Sequence, residues 1–262
     1  MNESREILVE NDAGVRIITL NRPETLNALN SAIMAQLVDA VADAARDTSA
    51  GCVVLTGAGR GFCSGGDLKS RRDATKIDAE RGGRVEQGYM RLRGFMETTR
   101  LLHEMPKPCI AMVNGPVAGA GVGLAGACDL RFAAQSATFL TAFDRIGASG
   151  DFGSTWFWTK ILGSGAAREI FFLGEKYDAA AALAKGLYTR VFPDPELRSA
   201  TLAAARRLAN GPRVGWRYMK ANLNYAEDGQ FEAALDLEAL NMGLSTAAAA
   251  IIHKAKIDKS SE

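Results

Sequence analysis

The chain has 262 residues, 47% of them hydrophobic, with 31 basic against 30 acidic side chains and a formal charge of +1. That balance gives no electrostatic footing for nucleic acid or an anionic membrane surface, and the length suits one large domain or a domain with an appended module. Four cysteines without CxxC spacing and two histidines argue against a metal site. No apolar run reads as a signal region or a membrane span, so a reducing cytoplasm is the expected compartment.

Val15–Leu20 reads as a strand. A helix follows, with Asn30 or Ser31 as N-cap and an apolar face through Ile33, Leu37, Val41 and Ala45, flanked by Met34 and Val38. Residues 52–56 return as a buried strand and lead into the turn Gly59-Arg-Gly-Phe-Cys-Ser-Gly-Gly-Asp-Leu68. Residues 69–93 hold eight basic and four acidic residues and read as a solvated helix–loop or as a cover for a phosphate-bearing ligand. The strand Cys109–Val113 precedes a second turn, Asn114-Gly-Pro-Val-Ala-Gly-Ala-Gly-Val-Gly-Leu-Ala-Gly-Ala-Cys-Asp129. The repeat of strand, helix and strand predicts an α/β fold of stacked ββα units with a mainly parallel sheet. Ser154–Leu162 reads as a helix. Asp178 is placed as the N-cap of a helix over 179–185 with Gly186 as its stop. A short strand over 187–192 and a break at Pro193-Asp-Pro195 follow, and the rest is helical, with Phe231, Leu235, Glu238 and Met242 on one stripe.

Glycine permits close backbone approach and positive φ. Two such turns can aim main-chain N–H groups at one point, which is what stabilising a negative carbonyl oxygen requires. Gly121, Gly123 and Gly126 also satisfy GxGxxG, with Asp144 downstream, the fingerprint of a nicotinamide dehydrogenase. Against that reading, a new strand begins at about residue 128 and leaves little helix to receive a pyrophosphate.

Taken as a pair, Phe62-Cys-Ser-Gly-Gly-Asp-Leu68 and Asn114-Gly-Pro-Val-Ala-Gly-Ala-Gly resemble the crotonase family, the enoyl-CoA hydratases and isomerases. The resemblance begins at Asn21-Arg-Pro-Glu-Thr-Leu-Asn-Ala-Leu29 and fades at about Thr246. It implies a crotonase-like spiral core over 1–195 and a helical trimerisation region over 196–262, assembled as a homotrimer or a dimer of trimers. It implies an acyl-CoA thioester substrate, no separate cofactor, oxyanion donors at Gly66 and Ala120, and CoA contacts near Leu26, Ala28, Ser64 and Leu68. Arg22 and Lys69 are the cations nearest to those positions.

The two glutamates of the family's hydratases correspond to Gly123 and Phe143, with Asp144 one residue off. Gly123 supplies no carboxylate and is expected to leave space where that acid would stand, and Asp144 reads as a surface charge paired with Arg145. Asp151, in Gly147-Ala-Ser-Gly-Asp-Phe-Gly-Ser154, matches the aspartate of the family's dienoyl-CoA isomerases, ring-forming phenylacetyl-CoA isomerases and chlorobenzoyl-CoA dehalogenases. Its alternative is a first-turn or capping aspartate of the helix that follows. Phe143 and Phe152 flank it and suggest an apolar, even aromatic, acyl group. The expectation is an enoyl-CoA or aromatic-ring acyl-CoA isomerase using Asp151 as acid and base. The alternative is an enoyl-CoA hydratase, and weaker readings are a dehalogenase (His103 and His253 stand at no matching place), a non-catalytic acyl-CoA-binding subunit and a dehydrogenase.

Overall fold

The computed structural model describes residues 5–70 and 85–260. Six strands form the main sheet in the order β1-β2-β3-β4-β6-β9: β1 (Ile7–Asp12), β2 (Val15–Leu20), β3 (Cys52–Gly57), β4 (Cys109–Val113), β6 (Leu130–Ala134) and β9 (Arg190–Phe192). β1 and β2 form an antiparallel hairpin with Ile7 opposite Leu20, and every later pairing is parallel. Every residue of β3 and β4 is buried, as continuous apolar runs should be in a parallel sheet covered on both faces. A smaller sheet joins β5 (Val117–Ala118), β7 (Thr138–Leu140) and β8 (Tyr177–Asp178).

The first helix, α1 (Ser31–Arg46), starts where Asn30 Oδ1 accepts the Ile33 N–H at 2.9 Å. It buries Ile33, Leu37, Val41 and Ala44, close to the predicted face. Residues 71–84, most of the charged stretch, lie outside the described residues; beyond them come α2 (Val85–Phe95) and α3 (Glu97–Glu104). Then follow α4 (Ala120–Gly126), α5 (Ser154–Leu162), α6 (Ser164–Leu173) and α7 (Ala179–Ala184). Asp178 caps α7 through the Ala181 N–H at 2.8 Å, and Gly186 follows at φ +80°, as the sequence predicts.

Two expectations shift. The strand over 187–192 is confined to Arg190–Phe192, because the Leu187 and Tyr188 N–H groups donate to Ala182 O at the end of α7. The break at Pro193-Asp-Pro195 is instead a helix start: α8 (Asp194–Ala209) begins there, where a missing N–H costs nothing. In α10 (Phe231–Ser260), Phe231, Leu235, Glu238 and Met242 are exposed. The face turned inward runs through Ala234, Leu237 and Asn241, and Asn241 pairs with Asn222 of α9 (Arg213–Ala226). α8 lies across β2, β3, β4, β6 and β9 and buries Leu197, Thr201, Leu202, Ala205 and Ala209.

Candidate active site

The first glycine turn leaves β3 at Gly57 and is braced by two asparagines. Asn27 is fully buried at φ +58°. Its Nδ2 donates to Ala58 O at 3.0 Å and Gly61 O at 2.8 Å, while its Oδ1 accepts the Arg22 N–H at 2.9 Å. From β4's end, Asn114 Nδ2 donates to Gly59 O at 2.9 Å and Gly61 O at 3.2 Å. Neither asparagine was singled out from the sequence as a site-forming residue. The available signal was a polar residue in Leu-Asn-Ala-Leu and another immediately before Gly115.

The same bonds collect most of the predicted CoA-contact positions. Ser64 N–H donates to Leu26 O at 2.9 Å, Ser64 Oγ donates to Thr25 O at 2.9 Å, and Arg22 Nη1 donates to Ala28 O at 2.6 Å. Leu68 lies at the exit of the turn, 44% exposed. Arg22 is held by carboxylates, Glu6 at 3.3 Å and Asp67 at 3.1 Å, so its charge is answered within the fold. The Ser70 N–H and then Arg22 hold the Asp67 carboxyl below the usual carboxylate range.

The second turn lies directly on the first. Cys63 pairs with Val117 in an isolated parallel bridge. Gly65 sits at φ +96°, and a Cβ there would stand 3.2 Å from Ala118 O, 3.3 Å from Gly119 Cα and 3.5 Å from Ala120 N. Glycine is therefore required both for the conformation and for the approach of the two main chains. Leu29 and Gly66 form another bridge, made by the Leu29 N–H to Gly65 O at 2.8 Å and the Asp67 N–H to Leu29 O at 2.9 Å. That bridge passes over the Gly66 N–H. Among the described residues, neither it nor the Ala120 N–H, the first of α4, takes part in a main-chain hydrogen bond. Gly66 is exposed, and a Cβ on it would meet nothing within 4 Å. Donors of this kind, one beside open space at Gly66 and one at the buried start of α4, can receive a carbonyl oxygen as it gains charge.

The GxGxxG spacing has a packing origin. All seven residues of α4 are buried, and the three glycines lie inside the helix instead of ahead of it. A Cβ on Gly121 would stand 2.6 Å from Cys63 O, one on Gly123 2.6 Å from Phe152 O, and one on Gly126 3.0 Å from Phe157 Cβ. The glycines of the fingerprint are therefore part of a seven-residue helix and do not form the turn ahead of a helix that cradles a pyrophosphate. The expected space beside Gly123 is likewise absent: the main chain of Phe152 fills it, with Phe152 Cβ 2.8 Å from where a Gly123 Cβ would be.

Asp151 lies on the loop that fills that volume. Gly150 (φ +105°), Phe152 (φ +50°) and Gly153 (φ +70°) surround it in left-handed conformations. Such strain is retained where the surroundings over-determine it. α5 begins at Ser154 as predicted, and its N-cap residue is Gly153, which has no side chain to cap with. Asp151 is half-buried with its Oδ1 atom buried. Its charge reaches Cys63 on the first turn: burial and then Asp151 push that thiol up to about 12. The acid and both glycine turns are therefore neighbours.

The aromatic side chains divide into separate groups. Phe139 and Trp158 meet edge to face at 5.0 Å in the core, where Trp158 Nε1 donates to Val122 O at 3.1 Å. Phe143 is buried and stacks on Phe171 at 6.0 Å, while Phe152 is buried against α4. Asp144 is exposed on a 3-10 turn, Asp144–Ile146, and its carboxylate lies against Gly174; it forms no ion pair with Arg145 among the described residues. His103 stands on α3 between Trp156 and Phe157, with Nε2 3.4 Å from Glu227 Oε2. Among the described residues no three His, Cys, Asp or Glu side chains are grouped to hold a metal. None of the described helices is long and apolar enough to cross a membrane.

One buried charge was not anticipated. Lys220 of α9 reaches through to β4, where Nζ donates to Leu102 O at 2.9 Å, Lys107 O at 3.3 Å and Asp129 Oδ2 at 2.8 Å. Burial opposes its charge, yet Cys109 and Asp129 hold the ammonium above the usual lysine range.

The enoyl-CoA hydratase/isomerase family model matches residues 10–256. The 1,2-epoxyphenylacetyl-CoA isomerase of Escherichia coli K12 is 39% identical over 233 residues, covering 88% of this chain and 87% of its own. A probable enoyl-CoA hydratase of Rhodobacter capsulatus is 36% identical over 237 residues, covering 90% and 88%. Among solved structures, a candidate enoyl-CoA hydratase from Streptomyces coelicolor A3(2) superposes with a TM-score of 0.88 at 34% identity, covering 99% of this chain and 94% of the other. An enoyl-CoA hydratase from Polaromonas sp. JS666 gives 0.83 at 29% identity, covering 95% and 97%. With its sheet order, its paired glycine turns and these matches across nearly its whole length, the chain belongs to the enoyl-CoA hydratase/isomerase family.

Proposed function

We propose that this enzyme isomerises an acyl-CoA thioester, moving a proton within an enoyl or aromatic-ring acyl group. The thioester oxygen receives the Gly66 and Ala120 N–H groups. Asp151 as carboxylate removes a proton from the carbon beside the thioester, the enolate charge rests on the oxygen between the two donors, and the protonated Asp151 returns the proton at another carbon. Electrons and protons balance without a separate cofactor. Fixed donors of this kind contribute roughly 10²–10³ in rate apiece, and a positioned acid–base group roughly 10²–10⁴.

The observation carrying the reading is the placement of Asp151 beside the two turns, on a loop whose neighbours Gly150, Phe152 and Gly153 are all left-handed. The Escherichia coli relative, named as an isomerase, lends support. The CoA moiety is assigned to the segment around Leu26, Ala28, Ser64 and Leu68, and the acyl group to the side of Phe152 and Phe143. The proposed enzyme is cytoplasmic, with a spiral core over 1–195 and a helical region over 196–262 that assembles it as a trimer or a dimer of trimers.

Hydration is the second reading, favoured by the name of the Rhodobacter capsulatus relative. It needs water held and deprotonated on the acyl face, and Gly123 and Phe143 offer no carboxylate for that. The test follows loss of conjugated enoyl absorbance with crotonyl-CoA, and solvent deuterium uptake with 3-enoyl, dienoyl and phenylacetyl thioesters. Isomerisation is expected to exceed hydration. Rapid hydration of crotonyl-CoA with no isomerisation of any thioester overturns the proposal.

A further inference from the structure

We propose that Gly123 is the positioning residue for the acid: its bare Cα is the surface on which the main chain of Phe152 rests, and that contact fixes where the Asp151 carboxylate stands. The inference rests on the isomerase reading and adds to it a determinant of where the acid stands. The contact is main chain on main chain. Phe152 O would lie 2.6 Å, and Phe152 Cβ 2.8 Å, from a Cβ at position 123. Any side chain there must displace residue 152, because a carbonyl in a fixed loop cannot swing aside as a flexible side-chain end can.

Both partners are themselves held. Gly123 is inside a helix with all seven residues buried, and the Trp158 indole donates to Val122 O beside it at 3.1 Å. Phe152 is 1% exposed and sits at φ +50°, a conformation that a bulky residue adopts only under constraint. The Ser154 N–H donates to Asp151 O at 3.0 Å and ties the loop to the start of α5. With one end set by α5 and its middle resting on α4, the loop has little freedom, and Asp151 stands one residue from the point of contact.

In this chain a side chain at position 123 would therefore have to displace Phe152, and with it the loop that carries Asp151.

The test compares Gly123→Ala and Phe152→Leu with the parent enzyme, using trans-3-hexenoyl-CoA and phenylacetyl-CoA as probes and solvent deuterium uptake as readout. A displacement on the order of 1 Å at a reacting group can cost about 10²-fold in rate. Gly123→Ala is accordingly expected to lower kcat by roughly 10- to 100-fold while KM stays within about threefold. Amide hydrogen exchange over residues 147–153 should rise, with α9 unchanged. Phe152→Leu keeps Cβ and main chain but loosens the buried ring, and a smaller fall in kcat at constant KM is expected. Should the alanine variant fail to fold, the leucine variant and its exchange pattern decide. Parental kcat together with parental exchange over 147–153 in the folded variants overturns the positioning role. Failure of the isomerase reading looks different: Asp151→Asn then keeps full activity, and the exchange arm still reports whether Gly123 holds the loop.

Discussion

At the scale of single residues, the acid and the buried lysine make opposite claims. Asp151→Asn preserves shape and removes the proton carrier, so turnover should fall by roughly 10²–10⁴ with thioester binding retained. Because asparagine keeps the size of aspartate and can still cap a helix, the thermal midpoint should move little. Single-turnover deuterium uptake checks the turnover and thermal denaturation the midpoint, and an active variant would remove Asp151 from the chemistry. Lys220→Met should do the reverse. It leaves Asp129 and two carbonyls without their ammonium and is expected to cost about 3 kcal/mol, the low end for a broken buried pair, because Asp129 is 30% exposed. Urea denaturation measures it, and an unchanged midpoint would refute the importance of the pair. The glycine turns and Asp151 were legible in the sequence because glycine spacing and a carboxylate beside a helix start are local signals. Lys220, 91 residues from Asp129, was not: a lysine in an amphipathic helix looks the same whether it points at water or at the core.

Among the elements, the junction of α1 with the sheet carries a pH signature. Asp47, at the end of α1, accepts from Ser49 Oγ and N–H and from Arg16 of β2, and these bonds lower its carboxyl to about 2. A carboxyl depressed in the folded state stabilises above its unfolded value of about 3.9, and that contribution is lost as pH falls toward the folded value. Asp47→Asn should therefore lower the thermal midpoint at neutral pH, and the gap to the parent should narrow between about pH 4 and pH 2. A gap that stays constant with pH would assign the loss to packing. Strands β2, β3 and β4 and helices α1 and α5 were readable because apolar period and capping residues agree there. The stripe on α10 was legible as a helical face, but not the direction in which it points. Periodicity shows that a face exists but not whether its partner lies in the same chain, and Phe231, Leu235 and Met242 remain 46–76% exposed.

For the molecule as a whole, that outward face is the natural contact for the proposed trimer. Phe231, Leu235 and Met242, 76%, 46% and 68% exposed, lie on it. Light scattering is expected to give a mass of three or six chains, and Met242→Arg should lower it by placing a charge in an apolar contact. A parent protein that runs as a single chain would end the assembly proposal.

The placement of α8 has a consequence during synthesis. Its buried residues cover β2, β3, β4 and β6, which precede them by about 60 to 190 positions, and Arg206 pairs with Asp12 at 2.5 Å across 194 residues. At a translation rate of about 5–20 residues per second, β3 waits on the order of 10 s on the ribosome before this cover emerges. Through that interval the nascent chain carries a bare apolar sheet, and the glycine turns at its strand ends exist as sequence before they exist as a site. Stop codons placed before residue 194 should accordingly yield chains that chaperones retain, and a stop beyond residue 229 should release a chain whose sheet is already closed.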